Sequence, residues 1–468
     1  MDAAVTLHVA TANAVDPDPY PAFAAGLRGS VLRPGDEAFE AAAGVWNTAL
    51  QRRPEAIVRV ADAQDVRAAI AFACRNELEI AVRSGGHSIA GHSTGDGVLV
   101  VDTRGLRGIH IDLEQGIVWA GAGLTAGELT TALGEHGMAV PFGDTASVGL
   151  GGITLGGGIG YLARMYGLTV DSLLAVEIVT ADGQVRTASA TEHPDLFWAL
   201  RGGGGNFGVV TRFCYRLSRV GHEVLGGALF MPGTRDVLRS LVPIATSAPD
   251  ELTVIAALMA APPAPFMPAE HVGAPTLVLL FVYAGDPADG HAAIAPFREV
   301  ATPFAEVVQP MPYAGIYELS REAEAPGPST SRSVFLDVLD DASVDAILDA
   351  FARAPAGTMV QLRAFGGAMA RVPADATAFA HRAANAQVTI INVFVEPDGA
   401  EAATAWNRAL FSQLEPKATG VYVNFLEDEG EGRVRSAYPN GTYERLAAVK
   451  RRYDHYNVFR RNQNVRPA

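Results

Sequence analysis

Arg83-Ser84-Gly85-Gly86-His87-Ser88 follows directly on the apolar run Ile80-Ala81-Val82. Further along stands a second glycine-dense stretch, Val148-Gly149-Leu150-Gly151-Gly152-Ile153-Thr154-Leu155-Gly156-Gly157-Gly158-Ile159-Gly160. A backbone without Cβ atoms lets successive N–H groups converge on anionic oxygens. The two stretches therefore mark a close approach of main chain to a large anionic ligand. Ile153, Leu155 and Ile159, interleaved with the glycines, argue for an ordered wall rather than a flexible loop.

Outward from these stretches, Val66, Ile70 and Ala73 recur at helical spacing between Asp62 and Glu77, and the helix feeds a strand over Glu79 to Arg83 that ends at His87. Strands are predicted over Val98 to Asp102 and Ile117 to Ala120. Thr125 with Glu128 forms a capping box for a helix to His136. Val176 to Thr180 and Val185 to Ala188 form a hairpin across Asp182-Gly183, because Asp-Gly supplies the positive φ of a tight turn. A helix from Asp195 to Leu200 runs into Gly202 to Gly205, and Val209 to Leu217 returns as a strand.

Near Arg219 the texture changes to longer apolar strands and proline-rich connectors such as Ala261-Pro262-Pro263-Ala264-Pro265. Strands over Leu277 to Tyr283, Val334 to Leu339, Val360 to Phe365 and Val388 to Val395, with the helical stripe Val344, Ile347, Leu348 and Phe351, predict an α+β unit on an antiparallel sheet. A last helix spans Tyr443 to Tyr453. The division expected is an N-terminal arm over 1–24, a first domain over 25–219, an inserted domain over 220–414 and a C-terminal segment over 415–468.

The 468 residues exceed what one core normally organises, and the net charge of −15 argues against nucleic acid as a partner. Cys74 and Cys214 give no disulfide framework. There is no basic leader followed by an apolar core, and no apolar run of membrane-spanning length. A soluble, cytoplasmic protein with no membrane partner is expected, its oligomeric state unreadable. No histidine shows metal-ligand spacing, so no metal is expected, and His92 and His381 read as structural.

Two motif matches lack the context their chemistry needs. Gly91-His92-Ser93-Thr94-Gly95 matches a nucleophile elbow but precedes a strand where a helix is required. Gly203-x-Gly205-x-x-Gly208 matches the dinucleotide fingerprint but follows a helix and precedes a strand, the reverse of the required order.

Taken with Arg164-Met165-Tyr166-Gly167-Leu168, Asp195-Leu196-Phe197-Trp198 through Asn206-Phe207-Gly208, and Tyr453-Asp454-x-x-Asn457-Val458-Phe459, the two glycine stretches resemble the berberine bridge enzyme group of FAD-linked oxidases, within the vanillyl-alcohol oxidase superfamily. The resemblance runs from Trp46 nearly to the end. It implies a PCMH-type FAD-binding domain, made of the N-terminal part plus the C-terminal segment, with an inserted substrate domain. It implies FAD held by Arg83, Ser84, Gly85, Gly86, His87, Ser88, Thr145, Val148, Gly151, Gly152, Gly156, Gly158, Gly160, Asn206, Gly208, Val209, Asn457, Asn462 and Asn464, with His87 bonded to the flavin 8α carbon. Thr145 stands where many members carry a second linking cysteine, so a single covalent bond is expected. Val148 matches a small residue that leaves room for dioxygen.

The implied reaction passes a hydride from a small alcohol or amine to FAD and on to dioxygen, giving hydrogen peroxide. The alternative is oxidative cyclisation or desaturation in natural-product tailoring. Tyrosine-using members carry Y-x-N-Y where this chain has Tyr422-Val423-Asn424-Phe425, so Tyr422 and Asn424, expected on one strand face, are left as the catalytic candidates. Gln361, Arg363 and Asn392 are polar positions in apolar strands that either line a cavity or face solvent.

Overall fold

The computed structural model describes residues 18–394 and 399–468. Strands β1 (Ser30–Leu32), β2 (Ala56–Arg59), β3 (Ile80–Arg83) and β4 (Leu99–Asp102) form a sheet ordered β1-β2-β4-β3. β2 and β3 run parallel to β4, and β1 runs antiparallel to β2. Strands covered on both faces read as continuous apolar runs, and Leu99-Val100-Val101 is fully buried. Helix Ala63–Arg75 makes the crossover from β2 to β3. Asp62 caps it by accepting from the Gln64 and Asp65 amides, and Val66, Ala69, Ile70 and Ala73 face the core. Of the expected N-terminal arm, residues 1–17 lie outside the described residues. Tyr20–Ala25 is helical, with the Tyr20 and Phe23 rings packed on Phe72.

A second sheet takes β5 (Ile109–Asp112), β6 (Ile117–Gly121), β8 (Leu173–Val179), β9 (Val185–Ser189) and β10 (Val209–Arg216) in the order β5-β6-β10-β8-β9. β7 (Met138–Ala139) pairs with β11 (Ser218–Arg219) as a short ribbon. The Thr125–Glu128 capping box forms at the start of helix Ala126–Gly134. The β8–β9 hairpin turns at Gly183, whose φ is +74°.

β12 (Val224–Pro232), β13 (Leu252–Ala260), β14 (Pro275–Tyr283), β15 (Ala305–Met311), β16 (Ser329–Leu336), β17 (Thr358–Ala364), β18 (Ala386–Val393) and β19 (Ala418–Gly420) build one antiparallel sheet, ordered β15-β12-β14-β13-β17-β18-β16-β19. The architecture as a whole is α+β. Because side chains alternate along a strand, Leu229, Val254, Leu279 and Leu362 bury one face of the large sheet against helices Arg235–Ser247, Pro287–Val300, Asp341–Phe351 and Gly399–Leu414. The intervening residues Ala228, Ile255, Leu280 and Arg363 face a large cavity.

After helix Thr442–Tyr453 the chain returns to the first two sheets, with Phe459 in the apolar core that holds Val58 and Ile80 and Val465 in the one that holds Phe207. No helix among the described residues is long and apolar enough to cross a membrane.

One pH effect arises in the segment that leads from helix Gly367–Arg371 into β18. His381 is buried with its Nε2 facing the Ser436 and Ala437 carbonyls, and burial pushes its pKa down to about 4. An unfolded histidine titrates near 6.5, so as pH falls the unfolded chain takes up the proton first. Stability is expected to drop between about pH 6.5 and pH 4, and the thermal midpoint measured across that window should fall less steeply in His381→Gln.

Candidate active site

The cavity, about 1110 Å³, is walled on one side by the Ser84–Ser88 loop and the glycine stretch, and on the other by the open face of the eight-stranded sheet. The two glycine stretches meet there. A Cβ on Gly85 would collide with the Gly149 backbone, and one on Gly149 with the Gly85 amide, so both positions need glycine for the loops to cross. Ser84 locks the crossing by donating to the Ala122 carbonyl at 2.7 Å and accepting from the Gly151 amide at 3.2 Å.

Ser84, Gly85, Gly86, His87, Ser88, Thr145, Val148, Gly151, Gly152, Gly208, Tyr422, Asn424 and Asn462 all lie in the cavity wall. The other expected site residues sit behind it. Arg83 is fully buried and turns away, donating to the Ala42, Ala43 and Ser93 carbonyls. Gly156, Gly158 and Gly160 leave space for the Asn424 side chain, the Thr169 side chain and the Phe142 carbonyl, each of which a Cβ would strike. Asn206 donates to Gly203 and Gln463 and accepts from the Val465 amide, so it ties the Gly202–Gly205 turn to the C-terminal tail. Val209 packs in the core with Val179 and Phe459. Asn457 and Asn464 stand on the tail outside the wall, each with a buried Oδ1 lacking a partner.

His87 faces the cavity with its ring 5.7 Å from that of Trp46, the planes 24° apart. Burial pushes its pKa down to about 4, against a hydrogen bond to the Ser147 backbone that favours the charged form. The imidazole is therefore neutral at physiological pH. Across the cavity, Tyr422 and Asn424 depart from the strand expected for them, since Val423–Phe425 forms a 3₁₀ turn. The turn still brings the two together. The Tyr422 hydroxyl accepts from the Gly158 amide at 2.8 Å and from Asn424 Nδ2 at 2.9 Å, and Asn424 also donates to the Gly152 carbonyl. With both bonds accepted, the phenolic proton is left for the cavity. Burial pushes the phenol pKa up to about 12. Tyr422 is thus a hydrogen-bond donor at neutral pH.

Tyr422→Phe leaves the buried Gly158 amide and one Asn424 proton unpaired, and is expected to destabilise the fold by about 1–3 kcal/mol. Thermal unfolding of the variant checks this.

Gln361 and Arg363 both line the cavity, which settles their orientation. Asn392 does not. It is buried in the sheet, donating to Thr358 Oγ1 at 2.7 Å and accepting from Asn407. Sequence reasoning missed Asp144, whose carboxylate pairs with Arg363 at 2.5 Å across 219 positions. It also missed Trp46 as a partner of His87. The lone tryptophan ahead of the glycine loop was the available signal for the second; the first had none. His92, read as structural, lines the cavity, with its buried Nε2 unpartnered.

The residues fit an FAD. Among the described residues, buried polar atoms without partners gather at His92 Nε2, Ser93 Oγ, Arg461 Nε and Asn462 Oδ1, all in residues of the wall. Groups of that kind in a native structure need an explanation, and a bound ligand with matching donors and acceptors supplies one. Gly152 and Gly205, also in the wall, have open space where a Cβ would stand, as a backbone cradle requires.

Comparison with known proteins agrees. Residues 54–189 match the FAD binding domain model, and residues 421–466 match the model described as berberine and berberine like. The (R)-6-hydroxynicotine oxidase of Paenarthrobacter nicotinovorans is 32% identical over 457 residues, covering 94% of this chain and 97% of its own. The crystal structure of 6-hydroxy-D-nicotine oxidase from Arthrobacter nicotinovorans superposes with a TM-score of 0.85 at 28% identity, over 94% of this chain and 98% of that one. A berberine bridge enzyme-like protein of Physcomitrella patens shares the fold, with a TM-score of 0.87 at 23% identity over 96% and 99% of the two chains. With a relative matching it at 32% identity over 94% of its length and a glycine-crossed cavity fitted to FAD, this chain belongs to the berberine bridge enzyme-like family of FAD-linked oxidoreductases.

Proposed function

We propose that the protein is an FAD-dependent oxidase of a small alcohol or amine, with the flavin carried on His87 through a single bond to its 8α carbon. The observation that carries this reading is the neutral imidazole of His87 in the cavity wall. Its lone pair is free to bond carbon, while the Ser147 carbonyl accepts the N–H of the other ring nitrogen and holds the ring in place. Thr145 offers no second thiol. The residues proposed to hold the cofactor are the Ser84–Ser88 loop, Gly151, Gly152, Gly208 and Asn462 in the wall, with Arg83, Asn206, Asn457 and Asn464 positioning those loops from behind. Residues 25–219 and 415–468 form the proposed FAD-binding domain, and 220–414 the substrate domain.

The chemistry that bound FAD supplies is acceptance of a hydride from the substrate carbon and delivery of two electrons to dioxygen, giving hydrogen peroxide. Val148 keeps a small side chain in the wall, which suits access of dioxygen. The chain's part is placement. Tyr422 donates its phenolic proton to the substrate heteroatom, Asn424 and the Gly158 amide hold that phenol in place, and the Arg363–Asp144 pair fixes the end of β17 beside it. A phenol held protonated by burial is a poor base at neutral pH, which suits an amine that is already neutral.

The test is release of hydrogen peroxide by purified protein over a panel of cyclic amines and secondary alcohols that includes (R)-6-hydroxynicotine. Substrate consumption without peroxide in air would overturn the oxidase assignment.

A further inference from the structure

We propose that the cavity takes an amphipathic substrate, its oxidisable polar end beside Gln361 and Arg363 and a long apolar body laid across β13, β14, β12 and β15. The inference rests on the cavity's being the substrate site of the FAD-linked enzyme, and it adds the class of molecule that fits.

The cross-strand register carries the argument. One row of facing residues runs Val307, Ala228, Leu280, Ile255 and then Arg363. The next runs Phe230, Val278, Ala257 and then Gln361 and Thr389. All of these line the cavity. In both rows the wall is apolar through β13 and turns polar at β17. In these two rows the change falls at one strand boundary, and although Met359 and Ile391 keep a neighbouring row of β17 and β18 apolar, Gln361, Arg363 and Thr389 make a polar patch that the side built by β12 to β15 lacks.

The polar patch lies at the catalytic end. Arg363 is hydrogen-bonded to Asp144 and its guanidinium stands 4.8 Å from the centre of the Phe425 ring, in the turn that carries Tyr422. Its Nε is buried without a partner. The pair with Asp144 cancels the net charge, so this patch suits a neutral or hydrogen-bonding head better than a free carboxylate. The apolar side spans three strand steps, roughly 14 Å at about 4.8 Å each. At its far end Phe266, 46% exposed, lies with its ring 5.0 Å from that of Phe230 and gives the mouth an apolar rim.

A saccharide laid over Phe230, Val278, Ala257, Leu280 and Ile255 would leave its hydroxyls without partners, each a penalty, whereas an aromatic or aliphatic body gains with every carbon buried. The sheet therefore selects against sugars by desolvation and for a greasy body by burial.

Calorimetric titration of the purified holoprotein with straight-chain primary alcohols from hexanol to decanol, and with cellobiose, tests this without requiring turnover. The expected result is a Kd that falls by up to about fourfold per added methylene, with cellobiose binding no more tightly than hexanol. Val278→Thr, close to isosteric, puts a hydroxyl into the apolar side and is expected to weaken decanol binding by about threefold or more. Ala257→Ser serves the same purpose should the first variant fold poorly. A Kd independent of chain length, or cellobiose bound more tightly than decanol, overturns the proposal. Lack of bound flavin would overturn the oxidase reading separately, since the chain-length series reports on the sheet face alone.

Discussion

His87→Ala is expected to give a protein whose yellow colour passes into the supernatant on acid precipitation, whereas the parent keeps its colour in the pellet. Only His87 presents a neutral imidazole from the Ser84–Ser88 loop into the cavity, and Thr145 supplies no alternative attachment. The variant should still fold. The lost contacts are the stack on Trp46 and the bond to Ser147, and the crossing of Gly85 over Gly149 is untouched. FAD should therefore still bind, held by the loop amides and the tail. Alkylation at the 8α position is expected to raise the flavin potential, and for a two-electron couple every 30 mV lost costs about tenfold in the transfer equilibrium. Turnover of the variant, measured at saturating FAD, is expected to drop by about tenfold or more.

Lys450→Ala is expected to be the most damaging single change to the scaffold, by about 3–5 kcal/mol. The Lys450 ammonium is fully buried. It donates to the Asn206 and Phe459 carbonyls at 2.8 and 2.7 Å and pairs with Asp454 at 2.9 Å. Asp454 in turn accepts from the Val458 and Phe459 amides. Removing the cation strands a buried carboxylate and frees two carbonyls, at the place where the tail that carries Asn462 and Gln463 joins the glycine turn at Gly205. Loss of stability and loss of FAD retention should therefore appear together. Thermal unfolding with and without added FAD measures both, and an unchanged midpoint would show that the tail is anchored elsewhere.

What was legible in the sequence follows from how local each signal is. The strand-to-loop transition at Arg83 and the capping box at Thr125 are set by neighbours in the chain, and both stand in the structure where their patterns put them. Half of the large sheet was legible: β14, β16, β17 and β18 answer to expected strands, although β16 ends at Leu336 and its extension back to Ser329 was hidden by a run of serine and threonine, while β12, β13, β15 and β19 were not read from the sequence. Gly156, Gly158 and Gly160 share the spacing of a ligand-binding loop, and the structure adds a packing reason the sequence did not show, since their missing Cβ atoms make room for Asn424, Thr169 and Phe142. Tyr422 and Asn424 have the spacing of a strand face, but the chain tightens into a 3₁₀ turn because the phenol is drawn to the Gly158 amide, far away in sequence. Arg363 and Asp144 carry no sequence signal of pairing at all. Their contact exists only once the sheet docks against the loop at Gly143.

The most direct test is mass spectrometry of the peptide containing His87, taken from purified protein that has been unfolded and digested. The account predicts that this peptide carries the added mass of one FAD and that no other peptide does. An unmodified His87 peptide from a protein that binds FAD would contradict it.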